Sequence, residues 1–130
     1  MSDISHLYIF DGFSETEISF FLLMSQTQFK KSWERIMTLA EPSNGCAYYI
    51  TRGAVRVSQW DKELAILGPG SFFGEIALIT DEPRTATIDT IDDTELQVFL
   101  KDDFMTLLKR GSHSEEMKSE MLRRIKERVR

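Results

Sequence analysis

The chain has 130 residues, 42% of them hydrophobic and 28% charged, with a net charge of −5. That is one domain's worth of ordinary globular sequence, able to bury roughly two-thirds of its unfolded surface. The acidic total argues against a general nucleic-acid binder, and the single cysteine, Cys46, excludes an internal disulfide and a cysteine-based metal motif.

The opening MSDISHLYIF has no basic region followed by a long apolar run, so no signal peptide is expected. Ser14-Glu15-Thr16-Glu17 reads as a capping box, with Phe13 and Ile18 at hydrophobic-staple spacing. It predicts a helix from about Glu15 to Ser25, with Ile18, Phe21, Leu22 and Met24 on its buried face. The apolar run Ile18 to Met24 is too short to span a bilayer, which takes about 20 residues. With one cysteine and no leader, a reduced cytoplasmic location is the expectation.

From Gln28 onward the segments turn short and β-rich. Strands are predicted around Trp33–Leu39, Ala47–Ile50, Ala54–Trp60, Leu64–Leu67, Ala86–Ile91 and Glu95–Leu100. Turn chemistry separates them, as in Pro42-Ser43-Asn44-Gly45, Arg52-Gly53 and Gly68-Pro69-Gly70. Val55-Arg56-Val57-Ser58 alternates as a half-buried strand should. Many short strands at close spacing point to a sandwich or barrel-like roll.

Helix returns at Lys101–Arg110, with Phe104, Leu107 and Leu108 on one face and Gly111 placed to end it. Ser112 and Glu115 form a second capping box, and the last helix runs to the C-terminus. Leu122, Ile125 and Val129 form its apolar stripe, with Met117 and Met121 beside it. Lys118–Arg130 holds six basic and two acidic residues, a net +4 against −9 in the rest of the chain.

The stretch GSFFGEIALITDEPRTAT, Gly70 to Thr87, sets one carboxylate and one guanidinium in the most apolar part of the chain. Gly74 permits a close backbone approach or a dihedral that other residues avoid. Glu75-Ile76-Ala77-Leu78 can form one helical turn whose first amides face outward, a ready anion site. Arg84 supplies a fork suited to phosphate oxygens, and Thr85 a hydroxyl. Glu75 repels phosphate but accepts from a sugar hydroxyl, so the set fits a singly charged sugar phosphate. The plain alternative is a surface Glu75–Arg84 ion pair, common and worth little.

These residues carry a resemblance. LGPGSFFGEIALITDEPRTATI, Leu67 to Ile88, resembles the phosphate-binding cassette of the cyclic nucleotide-binding domain family: Gly-Glu-apolar-small-Leu, a short spacer, then Arg, a small residue, Ala and a strand. YYITRGAVRVS is similar to the family's strand-Gly-strand hairpin, here at Gly53, and the flanking helices stand where the family has them.

The resemblance implies a mainly β fold: a double-stranded β-helix, or jelly-roll-like β-roll, with one N-terminal and two C-terminal helices. It makes residues 1–130 one domain, with an N-terminal helical part (1–27), a β-roll (28–100) holding the cassette (70–87), and C-terminal hinge and lid helices (101–130). It implies cAMP or cGMP as ligand, with a slight lean to cAMP, since threonine at position 85 occurs with both. Arg84 would pair with the cyclic phosphate; Thr85 and the amides around Ile76 and Ala77 would complete the cradle. Glu75 would accept the ribose 2′-hydroxyl, with Gly74 giving clearance. Val57, Ala65 and Leu67 would pack on the base, and Arg124 and Ile125 of the last helix would reach it from above. The plain reading of those last five is apolar core and a solvated basic face.

The family also implies a mechanism: the last helix, hinged at Gly111-Ser112, closes over the bound base. The same apolar stripe suits a protein partner or a homodimer seam. Two departures stand out. LAEPSNG replaces the family's glycine-acid pair, with Glu41-Pro42 in its place, and Trp33-Glu34 replaces an earlier turn glycine. Both are expected to shape loops away from the phosphate.

No effector motif follows, so the chain reads as a stand-alone sensor or one domain of something longer. The alternative is a degenerate fold that docks proteins without ligand. A cupin-type metal enzyme would need clustered histidines, and His6 and His113 are far apart in the sequence. A DNA-binding regulator lacks its reading helix. No catalytic residue, metal, cofactor or membrane contact is expected.

Overall fold

The computed structural model describes residues 14–78, 81–110 and 123. The first helix, α1, spans Glu15–Met24 and starts as its sequence dictates. Glu17 N donates to Ser14 Oγ (3.1 Å), and Ser14 N donates back to Glu17 Oε1 (2.8 Å). Two of the helix's four orphan amides are thereby satisfied or protected at its entry. Ile18 and Phe21 are buried, while Leu22 and Met24 are half-buried. Phe13, the outer half of the expected staple, lies outside the described residues.

Eight strands follow among the described residues: β1 (Gln26–Lys30), β2 (Arg35–Met37), β3 (Cys46–Arg52), β4 (Val55–Gln59), β5 (Lys62–Leu67), β6 (Phe72–Phe73), β7 (Thr87–Thr90) and β8 (Thr94–Leu100). They form two antiparallel four-stranded sheets, ordered β1-β8-β3-β6 and β2-β7-β4-β5. Met37, Tyr48, Ile50, Val55, Phe73, Ile88, Leu96 and Val98 meet between the sheets as one apolar core. The result is the mainly β roll that the segment pattern predicts.

Three details depart from the sequence reading. β1 was not expected, because QTQFK has no apolar alternation; it pairs with β8 at the sheet edge and stays largely exposed. β6 is a two-residue strand inside the cassette, paired with Tyr48 and Tyr49. The alternation of Val55–Ser58 breaks at its end. A register shift between Val57 and Ser58 leaves Ser58 buried at 1% exposure, as a bulge re-aims side chains.

Gly53 makes the β3–β4 turn. Its φ is +94°, and a Cβ there would lie 2.5 Å from Asp93 O. Only glycine fits. After β8 the chain enters α2 (Lys101–Arg110). Phe21 of α1 stacks on Phe99 (4.8 Å between centroids) and meets Phe104 edge-on (5.6 Å), fixing both helices to one end of the roll. Lys101 N donates to Gly45 O (2.8 Å), which ties the start of α2 to the loop before β3. Of the final helix only Arg123 is among the described residues, in helical conformation; its capping box, hinge and apolar stripe lie outside them.

Candidate functional site

The cassette begins where β6 leaves the sheet. Gly74 follows at φ +72°, left-handed territory, and reverses the chain. Glu75–Leu78 then form a single 3-10 turn, the one helical turn that the sequence predicts. Ala77 N donates to Gly74 O (3.1 Å), so this amide is engaged inside the turn. Ala77 and Leu78 are fully buried and anchor the turn to the roll.

Arg84 sits where the chain returns to β7, and it is only 6% exposed. Its backbone is pinned on both sides: Arg84 N donates to Glu41 O (2.9 Å) and Ala40 N donates to Arg84 O (2.8 Å). Its guanidinium donates to three neutral oxygens. Nη2 reaches Asn44 Oδ1 and Cys46 O (3.0 Å), and Nη1 makes a long contact to Gly74 O (3.5 Å). None of the ion pairs among the described residues involves Arg84. The surface Glu75–Arg84 pair considered above does not form there. Burial pulls the Arg84 guanidinium below its ordinary pKa, opposed by the nearby Tyr48 and Cys46 groups.

A guanidinium has five N–H donors. Two of these, Nε–H and one Nη1–H, have no acceptor among the described residues. A buried cation without a carboxylate is costly: leaving a buried charge without its partner typically costs about 3–5 kcal/mol. The arrangement is therefore complementary to an anion with two oxygens to offer.

A cavity of about 180 Å³ opens beside Arg84. Six residues singled out in the sequence line it together: Gly74, Glu75, Arg84, Thr85, Val57 and Leu67. Glu75 and Arg84, nine residues apart in sequence, thus face one space. Met37, Phe72, Phe73, Ala86 and Ile88 complete the wall. Ala65 does not line the cavity but lies opposite Val57 in the β4–β5 ladder. Ile76 contributes its backbone to the 3-10 turn. Arg124 and Ile125 lie outside the described residues. Gln59 Nε2 donates to Thr85 O (2.8 Å) and fixes the cassette's exit to the β4–β5 hairpin.

The loop LAEPSNG corrects an expectation. It does not lie away from Arg84; Ala40 and Glu41 hold the Arg84 backbone, and Asn44 holds its side chain. Asn44 is the residue beside Arg84 that sequence reasoning did not single out. The other departure keeps its geometry: Trp33 takes a left-handed φ of 64° in the turn where the family has glycine.

A larger groove of about 480 Å³ lies elsewhere, lined in part by Phe29, Lys30, Arg52 and Glu95. It contains no cassette residue, and its Lys30 and Arg52 already pair with Glu34 and Glu95. Among the described residues, no cluster of three or more histidine, cysteine or acidic side chains is placed to hold a metal. Among them too, no helix is long and apolar enough to cross a membrane.

The family model described as "Cyclic nucleotide-binding domain" matches residues 27–111. A cyclic AMP receptor protein of Thermus thermophilus is 34% identical over 68 residues, covering 48% of this chain and 32% of that protein. A cGMP-dependent protein kinase of Plasmodium berghei is 32% identical over 109 residues, covering 82% of this chain and 12% of the kinase. The chain thus spans a third or less of these curated relatives. The crystal structure of Thermus thermophilus catabolite activator protein superposes with a TM-score of 0.72 at 25% identity, over 93% of this chain and 57% of that one. A cyclic nucleotide-binding-like protein from Brucella abortus gives a TM-score of 0.74 at 19% identity, over 82% of this chain and 94% of that one, a likeness of fold.

Proposed function

Because this chain belongs to the cyclic nucleotide-binding domain family, we propose that it binds a cyclic nucleotide in the cassette cavity and reports the binding through its C-terminal helices. The observation that carries this reading is Arg84: buried, cationic and without a carboxylate partner among the described residues. A cyclic phosphate supplies the missing charge and two acceptor oxygens. Thr85 adds its hydroxyl, and the amides of the Glu75–Leu78 turn face the same group. Ala77 N would share its proton between Gly74 O and the ligand. Glu75 accepts the ribose 2′-hydroxyl across the clearance left by Gly74.

The cavity is smaller than the roughly 300 Å³ at which small-molecule pockets begin. It has room for the sugar phosphate, and the base lies toward the mouth, against Val57, Leu67 and the neighbouring Ala65. A base so exposed gains from a cover. The last helix offers Ile125 and Arg124 for that role, and its closure is a population shift, limited by the ligand's preference for the closed state. Cover and cassette together make a sensor, alone or within a longer protein. Its output is a protein partner or a second copy on the same helix, in a reduced cytoplasmic setting.

Binding rather than catalysis is the reading: the described residues of the cavity wall include no histidine, cysteine or lysine, and their one carboxylate, Glu75, is given to the ribose. The lean is toward cAMP, the ligand named for a relative of 34% identity. Titration calorimetry of the chain with cAMP, cGMP and 5′-AMP tests it. Micromolar or tighter binding of one cyclic nucleotide, with 5′-AMP much weaker, is the expected result. Binding of none would leave a protein-docking module on the same fold.

A further inference from the structure

We propose that Asn44 is the positioning residue of the anion site, a neutral tether that holds the Arg84 guanidinium in place without cancelling its charge. The inference rests on the reading that Arg84 binds the ligand's phosphate.

Three contacts fix the Asn44 carboxamide. Its Oδ1 accepts from Arg84 Nη2 and from Cys46 N (3.1 Å), so two donors meet one oxygen. Its Nδ2 donates to Tyr48 Oη (3.4 Å). The two donors at Oδ1 decide which end of the amide is oxygen, because the reversed amide would set N–H against N–H. Tyr48 is itself fixed, buried and stacked on Phe73 at 5.2 Å. A rigid path therefore runs from the core through Tyr48 and Asn44 to Arg84. Gly45 extends the tether's support: its N donates to Ser43 Oγ (3.0 Å) and its O accepts from Lys101 N (2.8 Å).

The chemistry of the tether matters as much as its geometry. All three acceptors around Arg84 are neutral. A carboxylate in the same place would hold the guanidinium equally well but would compete with the phosphate for its charge. The nearest acid in the loop, Glu41, acts on Arg35 and not on Arg84. On the tether side the titratable groups that face Arg84 are Tyr48 and Cys46, whose burial favours their neutral forms; Glu75 faces it across the cavity without an ion pair to it. The loop thus organises Arg84 and leaves it positive.

The test is titration of cAMP or cGMP into wild type, Arg84→Ala, Asn44→Ala and Asn44→Asp. Asn44 is exposed, so both of its variants should fold, checked by near-ultraviolet circular dichroism. Asn44→Ala frees the guanidinium and should weaken binding about tenfold, the effect of losing one charge-assisted hydrogen bond. Asn44→Asp keeps the tether but adds a like charge behind the guanidinium, and should weaken binding about tenfold. This deficit should shrink as salt screens the added carboxylate, which its guanidinium neighbour keeps ionised. A purely structural role would not produce that salt dependence.

If both Asn44 variants bind as wild type while Arg84→Ala loses binding, the inference fails and the functional reading stands. If Asn44→Asp binds more tightly than wild type, the neutral tether is refuted. If Arg84→Ala itself binds as wild type, the functional reading fails and this inference with it.

Discussion

Alanine at Gly74 tests how backbone and site are linked. The position has φ +72°, where a residue with a side chain loses about 1–2 kcal/mol. A Cβ there would also lie 3.1 Å from Arg84 Nη1, 3.2 Å from Met37 Cε and 3.3 Å from Cys46 O. The carbonyl belongs to the sheet and cannot yield, so the guanidinium must move by a few tenths of an ångström. Two other glycines separate the contributions. Gly70 has φ +90° but open space around its missing Cβ, so Gly70→Ala carries strain alone. Gly68 has neither strain nor crowding, and Gly68→Ala should be neutral or stabilising by up to about 1 kcal/mol. Gly74→Ala should therefore lower the melting temperature by roughly 3–10 °C for a chain of this size. It should also weaken nucleotide binding by about fivefold to tenfold through the displaced guanidinium. Gly70→Ala should lose stability but keep its affinity. Urea melts and calorimetry on the three variants give both numbers. Gly74→Ala melting and binding like Gly68→Ala would refute the geometry on which the site rests.

Further outcomes follow from the same structure. Phe21→Ala removes a fully buried ring that stacks on Phe99 and meets Phe104 edge-on, and should cost about 3–5 kcal/mol in urea unfolding; a loss under 1 kcal/mol would show that α1 is not docked there. Trp33 is 75% exposed and left-handed, so Trp33→Gly should relieve strain and stabilise by about 0.5–1 kcal/mol; a destabilised variant would mean that the indole packs. Burial pushes the Cys46 thiol and the Tyr48 phenol above their ordinary values of 9.0 and 10.0. The unfolded chain then loses these protons first, so stability should be full below pH 9 and fall as pH rises past it. The urea midpoint between pH 8 and 11 should drop more for wild type than for a Cys46→Ser/Tyr48→Phe variant; equal slopes would contradict the assignment.

Much of this was legible in the sequence, for local reasons. The capping box at Ser14–Glu17 satisfies its own amides, so it works wherever the helix lies. Gly53 sits in a turn that only glycine can make. Arg84 and Glu75 stood out as charges in an apolar stretch, and the family resemblance joined them. What failed to show was non-local. β1 has no pattern because β8, about 70 residues away, supplies its hydrogen bonds and its side chains face solvent. Asn44 reads as a turn residue, and only the folded loop brings it to Arg84, 40 residues on. Trp33 gives no sign of its left-handed backbone, because the turn that imposes it is held from a distant strand, with Trp33 N donating to Thr90 O (3.0 Å).

The most direct measurement of the central claim is calorimetric titration of cAMP and cGMP into wild type beside Arg84→Ala. Removing a charge-assisted phosphate contact should cost about 1.5–3 kcal/mol, roughly tenfold to a hundredfold and more in affinity. The same substitution removes a buried cation that lacks a carboxylate, so the variant should lose affinity without losing comparable stability. Binding by wild type that falls by that factor in a folded Arg84→Ala is the predicted result. Equal affinity in the two, or no binding of either nucleotide by wild type, would contradict the account.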